Sequence, residues 1–304
     1  MTVEKTHFGP WEHCYRISNG EVDLVVLAEA GPRILRYGFV GDQNFLREWP
    51  DRKGSATLAT PDGEWRIIGG HRLWVAPEFS PGTYPADNDP VDVRITDTGL
   101  VATAPVEKLT RLEKQIEVRL ESRGTRAEIV HRIFNRGYVA VRLAPWALTV
   151  MAQNGWGVTG FPPRGTHPEI LPPTNPLVMW AFSDFTDARL RLTKKYLALK
   201  QDPANRAPQK FGLFHPQTWG AYLLNGQAFM KRLECDPAKT YPDFGASFEI
   251  FTNADFLELE TLGPLETLDP GGSITHVEKW AAARKVPLDA ITDEALDRAL
   301  ASLD

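Results

Sequence analysis

A chain of 304 residues, 42% of them hydrophobic and 24% charged, is long enough for a substantial core under an ordinary globular surface. Its net charge of -5 argues against the basic footprint that nucleic acid or an anionic membrane demands, and its two cysteines, Cys14 and Cys235, exclude a disulfide framework. No apolar run approaches the ~20 residues that span a bilayer. The opening "MTVEKTHFGPWEH" lacks the basic-then-apolar form of a secretory signal. A cytoplasmic protein is the expectation.

In chain order, "EVDLVVLAEAG" (21–31), "RILRYGFVG" (33–41), "VDVRITDTGLVATAPV" (91–106), "KQIEVRLES" (114–122), "TRAEIVHRIFNRG" (125–137) and "VRLAPWALTVM" (141–151) alternate with a period near two and are closed by turn residues. Such segments are strands. The proline-rich "FPPRGTHPEILPPTNP" (161–176) has strand-like sequence on both sides and reads as a long loop within one domain. The segment 182–212 reads as short strands with a polar excursion. Four more strands follow, "GAYLLNG" (220–226), "QAFMKRLEC" (227–235), "ASFEIFTN" (246–253) and "DFLELETLG" (255–263), and Asn225-Gly226 signals a tight hairpin. Only "TDEALDRALASLD" (292–304) has helical spacing, with Thr292 as its N-cap. The expectation is one all-β domain over 1–304, a large antiparallel sandwich with a short C-terminal helix.

The sequence holds no GxGxxG, P-loop, GxSxG or HExxH pattern, so neither a cofactor nor a metal is expected. Three features carry chemistry instead. On the strand "DFLELETLGP", Glu258 and Glu260 share one face, about 6.6 Å apart at Cα, with Phe256 and Thr261 beside them. Like charges so placed raise each other's pKa and favour proton transfer near neutrality, unless the face is merely solvated. Glu249, on the preceding strand, can join that polar face. In "RIIGGHRLWVAPE", Gly69 and Gly70 permit positive φ and close approach of a ligand, beside His71, Arg72, Trp74 and Glu78. The bland alternative there is a turn with a buried, hydrogen-bonded histidine. Nine tryptophans complete the set. Most of them must fill the core, but Trp146 and Trp156, near Gln153 and Asn154, form a plausible wall for the apolar face of a sugar ring. His215, with Lys210 and Trp219 nearby, is a further site candidate, whereas His131 reads as an interior residue.

These pieces together resemble the galactose mutarotase-like superfamily, and more closely an uncharacterised bacterial branch of it. The resemblance is carried by "EAGPRILRYGFVGDQNFL" (29–46), "GGHRLWVAPE" (69–78), "NRGYVAVRLAPWALTVM" (135–151), the long block from Trp219 to Ser273, and "EKW" (278–280). It implies a β-supersandwich acting as an aldose 1-epimerase on a mono- or oligosaccharide, with no nucleic acid or membrane partner. In that chemistry a strand glutamate in an "LET" context takes the anomeric proton and a histidine protonates the ring oxygen. "LET" at 259–261 then nominates Glu260 as base, and the Gly-Gly segment nominates His71 and Arg72 for sugar binding. The acid histidine has no counterpart, because Trp146 stands in its place, which leaves His71 or His215 to act as the acid. Trp74, Glu78, Trp146, Asn154, Trp156, Lys210, Glu249 and Glu258 are the remaining expected binding residues. The alternative is a non-catalytic carbohydrate-binding protein with the same pocket.

Overall fold

Alternation is realised directly in the strands of the computed structural model, which describes residues 1–54 and 57–303. In the strand Leu257–Leu262, Leu257 and Leu259 are fully buried among Phe229 and Trp280 of a facing sheet. Glu258 and Glu260 take the opposite face, and each buried leucine contributes about 1.5–3 kcal/mol. Among the described residues, one sheet has eleven strands and a second has ten, with a two-stranded hairpin, Thr57–Thr60 and Gly63–Arg66, beside them.

The middle of the first sheet runs Arg33–Phe39, Gly70–Ala76, Val141–Met151, Leu257–Leu262, Phe248–Thr252 and Gln209–Leu213, all paired antiparallel. The middle of the second runs Trp156–Gly160, Trp219–Leu224, Gln227–Arg232, Ser273–Arg284 and Ala127–Asn135. One apolar cluster between the sheets draws on both of them, from Ile17 to Ala282. The expected all-β architecture therefore holds, and no helix among the described residues is long and apolar enough to cross a membrane.

Asn225 and Gly226 both adopt positive φ, 49° and 72°, as a type I′ hairpin turn requires. The terminal helix covers Asp293–Leu300, with the Thr292 hydroxyl accepting from the Ala295 amide, and a 3-10 turn, Ala301–Leu303, follows. Asp304, the last residue of the expected helix, lies outside the described residues. Leu296, Ala299 and Leu300 pack on Ala221, Leu223 and Met230, on the outer face of the second sheet.

The Gly-Gly segment departs from expectation. Gly69 and Gly70 do take positive φ, 84° and 72°, yet the group that approaches them is backbone rather than ligand. A Cβ on Gly70 would lie 2.3 Å from the Ile34 carbonyl oxygen. The residues after it form a strand, Gly70–Ala76, instead of a polar turn. Gly70→Ala is expected to destabilise the fold by about 2–4 kcal/mol, combining left-handed strain with the clash. Chemical denaturation measures this, and a change below ~0.5 kcal/mol would contradict the geometry.

Candidate functional site

Period-two alternation sorts the central strands of the first sheet into an inner and an outer face. Cross-strand register places Arg33 beside Arg72, Arg72 beside Leu148, Leu148 beside Glu260 and Glu260 beside Glu249, in one row across the outer face. A neighbouring row pairs Trp74 with Trp146 and Trp146 with Leu262. On the other side, Val150 faces Glu258, Glu258 faces Phe251 and Phe251 faces Lys210.

Two cations organise this face. Lys210 Nζ lies 2.8 Å from Glu249 Oε2 and 2.9 Å from Glu260 Oε2, and 4.7 Å from the ring centroids of both Trp146 and Trp180. Burial disfavours the ammonium, but the two glutamates outweigh it and hold the Lys210 pKa above its ordinary value. Arg72 donates to Asp87 at 3.0 Å and lies over the rings of Trp74 and Trp65, 4.7 and 5.3 Å from their centroids. Asp87 also accepts from Arg33 at 2.8 Å.

The carboxyl groups differ in environment. The Trp146 indole N–H donates to Glu260 Oε2 at 2.9 Å, so that oxygen takes both available donors. Glu260 Oε1 is buried without a hydrogen-bond partner, as are Arg72 Nε and the indole nitrogens of Trp65 and Trp74. Unmet donors and acceptors of this kind are rare in a protein interior and are here concentrated on one buried face. Burial raises the Glu249 pKa well above the carboxylate range, because one ammonium cannot neutralise two acids. Glu258 is half-buried and pushed up to about 8 by burial and by the charge of Glu260. Tyr84 closes the edge, its hydroxyl donating to Glu78.

A second polar cluster lies between the sheets, on the inner faces. His71, His131, Lys231 and Glu278 are 0% exposed and His276 is 4% exposed. Lys231 Nζ donates to the Ala147 carbonyl at 2.9 Å, Thr149 Oγ1 at 3.0 Å and Glu278 Oε1 at 2.9 Å, using all three protons. Thr149 and His71 Nδ1 are 2.9 Å apart, His71 Nε2 and His131 Nε2 are 2.6 Å apart, and His131 Nδ1 meets the His276 carbonyl at 2.9 Å. A carbonyl only accepts, so His131 carries its proton on Nδ1. His71 must then donate from Nε2 and accept at Nδ1 from Thr149. Thr261 bonds both His276 Nε2 and Glu278, and Trp280 donates to Glu278 Oε2 at 2.8 Å.

The ligand atoms of His71, His131 and Glu278 lie within 4.8 Å of one another, a spacing compatible with a metal ion. Here each ring nitrogen of His71 and His131 already has a hydrogen-bond partner, and the Lys231 ammonium occupies the same carboxylate, so protons saturate the cluster. Burial keeps all three imidazoles neutral, with His276 lowered to about 3 and His71 well below its ordinary value. Burial would raise the Glu278 pKa, but Lys231 together with His71, His131 and His276 outweighs it and holds the group below the carboxylate range.

A pH prediction follows from these directions. The histidine pKa values are depressed in the folded state, so the unfolded chain binds more protons below about pH 6.5. Stability from this cluster is complete above that pH and is lost as pH falls below it, by up to about 1.4 kcal/mol per pH unit for each histidine. Denaturation midpoints between pH 7.5 and 5 should drop steeply. A flat profile would show that the imidazoles titrate alike in the folded and unfolded chains, and a rise in stability on acidification would show them already charged in the fold.

No family model matches the sequence, and no curated protein matches it. Solved structures do resemble its fold. A galactose mutarotase-like protein from Lactobacillus casei superposes with a TM-score of 0.58 at 11% identity, over 89% of this chain and 100% of that one. A galactose mutarotase related enzyme from Lactobacillus acidophilus gives 0.53 at 10% identity, over 90% and 98%. The chain also spans 48% of a TPR-domain containing protein from Parabacteroides distasonis, with a TM-score of 0.55 at 14% identity. This chain has the galactose mutarotase-like fold.

Within that mutarotase-like frame, the structure brings Glu260, Glu258, Glu249, Lys210, Trp146, Trp74 and Arg72 together, with Glu78 at the rim. It does not bring His71 to them, because alternation along Gly70–Ala76 turns Arg72 outward and His71 inward. For the same reason Thr261 does not flank the glutamate pair but joins the interior cluster. His215 lies in the loop between Gln209–Leu213 and Trp219–Leu224, accepting from the Gln217 amide at Nδ1. Trp156 belongs to the second sheet, and Asn154 lies in the turn that leads into it. Trp156 packs near the terminal helix, and the Asn154 carbonyl accepts from Lys200. Asp87, Arg33 and Tyr84 are the site residues that sequence reasoning missed. No local pattern marks them, since Asp87 reaches Arg33 across 54 residues of chain.

Proposed function

We propose that the outer face of the first sheet binds a monosaccharide and interconverts its anomers, with Glu260 as the base. The observation that carries this reading is the one-sided bonding of that carboxylate. Two donors, Trp146 and Lys210, fix Oε2, while Oε1 is buried and left to accept a proton. Trp74 and Trp146 make this face aromatic beneath Arg72 and Lys210, and the unpaired N–H groups of Trp65, Trp74 and Arg72 suit hydroxyl oxygens. The fold shared with structures named galactose mutarotase-like supports the reading without assigning the activity.

In this scheme Glu260 takes the anomeric hydroxyl proton as the bond from C1 to the ring oxygen breaks. Glu258 donates a proton to that oxygen, the open chain rotates about its first carbon–carbon bond, and the reverse transfers close the ring. Glu258, with its pKa near 8, is protonated at neutral pH and stands on the same face as the base. The rate is therefore expected to fall above about pH 8 as Glu258 loses its proton. Glu258→Gln should remove that limb from the kcat/KM profile, and an unaltered limb would exclude Glu258 as donor.

The test is the approach of freshly dissolved α-glucose and α-galactose to equilibrium, followed by polarimetry or proton NMR. Acceleration over buffer supports the proposal, and no acceleration for any aldose overturns it. One observation favours a second reading, saccharide binding without turnover: among the described residues, the grouped outer face contains no histidine. That reading predicts saccharide-dependent thermal stabilisation and tryptophan quenching with no change in anomerisation rate.

A further inference from the structure

The outer face of the second sheet carries a separate open groove. The terminal helix and the 3-10 turn after it cover part of that face; beside Leu300 lies the groove, walled by the segments 161–164 and 215–217. The space is about 1550 Å³, more than the ~300–1,000 Å³ of a site for one drug-sized molecule, so it suits an extended ligand.

Its charge opposes that of the whole chain. The lining includes Arg164, Lys194, Lys195, Arg232 and Lys279 against a single carboxylate, Glu234, although the chain carries a net charge of -5. Lys195 pairs with Asp297 at 2.6 Å, whereas no ion pair among the described residues involves Arg164, Lys194 or Lys279. A cleft lined by one sign of charge concentrates ligands of the other sign. Aromatic rings line the groove beside these cations. Trp219 and Tyr196 meet edge to face at 6.1 Å, and Arg164 lies 4.6 Å from the ring centroid of Phe161.

The floor is formed by Trp219–Leu224, Gln227–Arg232 and Ser273–Arg284; Gln227–Arg232 pairs with residues 279–284 and stops short of Thr275 and Val277. Side chains dominate the lining, and the unpaired stretch of floor is short, so the charged and aromatic groups set what the groove recognises. Ring platforms between cations match a chain of pyranose rings bearing acidic groups.

We propose that this groove binds an anionic oligosaccharide, such as a uronate polymer, at a site separate from Glu260. The proposal is independent of the anomerase reading, since the two faces lie on opposite sides of the core. The experiment titrates the whole protein with a galacturonate hexamer, a neutral maltohexaose and poly-L-glutamate, by calorimetry in low salt and in about 0.3 M salt. The expected result is binding of the galacturonate hexamer, weakened roughly tenfold or more by salt and by loss of ligand charge. A double variant, Arg164→Glu with Lys279→Glu, both at exposed positions, should weaken binding at least roughly tenfold while leaving the circular dichroism and any anomerase rate unchanged. Absence of hexamer binding in low salt, equal binding of maltohexaose or poly-L-glutamate, or an unaffected double variant would each overturn the assignment.

Discussion

Glu260→Gln is expected to cost about 10²–10⁴-fold in anomer interconversion while leaving the fold intact. The amide is nearly isosteric, and its carbonyl still accepts from Trp146 and Lys210 in place of Oε2. What is lost is the basic Oε1, which has no other partner in the protein. If the other groups of the proposed site are undisturbed, kcat should fall with KM little changed, the signature of a group acting in the transition state. Retention of wild-type kcat by a folded variant would remove Glu260 from the chemistry. A parallel fall in thermal stability would instead place it in the structural class.

Lys231→Met is expected to have the largest effect on stability, a loss of about 3–5 kcal/mol at pH 7. Methionine fills the volume but leaves Glu278 charged in a dry interior with fewer donors, and takes one donor each from the Ala147 carbonyl and the Thr149 hydroxyl. Removing both charges, Lys231→Met with Glu278→Gln, should recover part of the loss, since a neutral side chain no longer carries an unpaired charge. Urea denaturation of the three variants closes the cycle. If Lys231→Met alone costs less than ~1 kcal/mol, the ammonium is not buried as described.

The architecture was legible because it rests on a local signal. Alternation in "KQIEVRLES" and "DFLELETLG", and the Asn-Gly turn at 225–226, each specify their element within a few residues. The glutamate pair was legible for the same reason, being two positions on one strand. His71 was misplaced because its two glycines signalled a turn, when they in fact let neighbouring backbone pass closely. Counting by twos from Arg72 and Trp74 would have turned His71 inward. The interior network was out of reach, since it joins His71, His131, Lys231 and Glu278 from four separate strands. Trp156 was grouped with Trp146 by sequence distance alone, and the chain crosses between the sheets within those ten residues.

Thr261 has one more consequence. It follows Glu260 directly and is anchored through Glu278 and His276 to the strand Ser273–Arg284 of the opposite sheet. The Glu260 side chain therefore projects from backbone that cannot shift without breaking interior bonds, whatever replaces Glu258 beside it. Inner and outer positions of the same strand are thus under separate selection. A lineage could exchange Glu258 or Trp74 for other side chains and acquire a new specificity on an unchanged chassis.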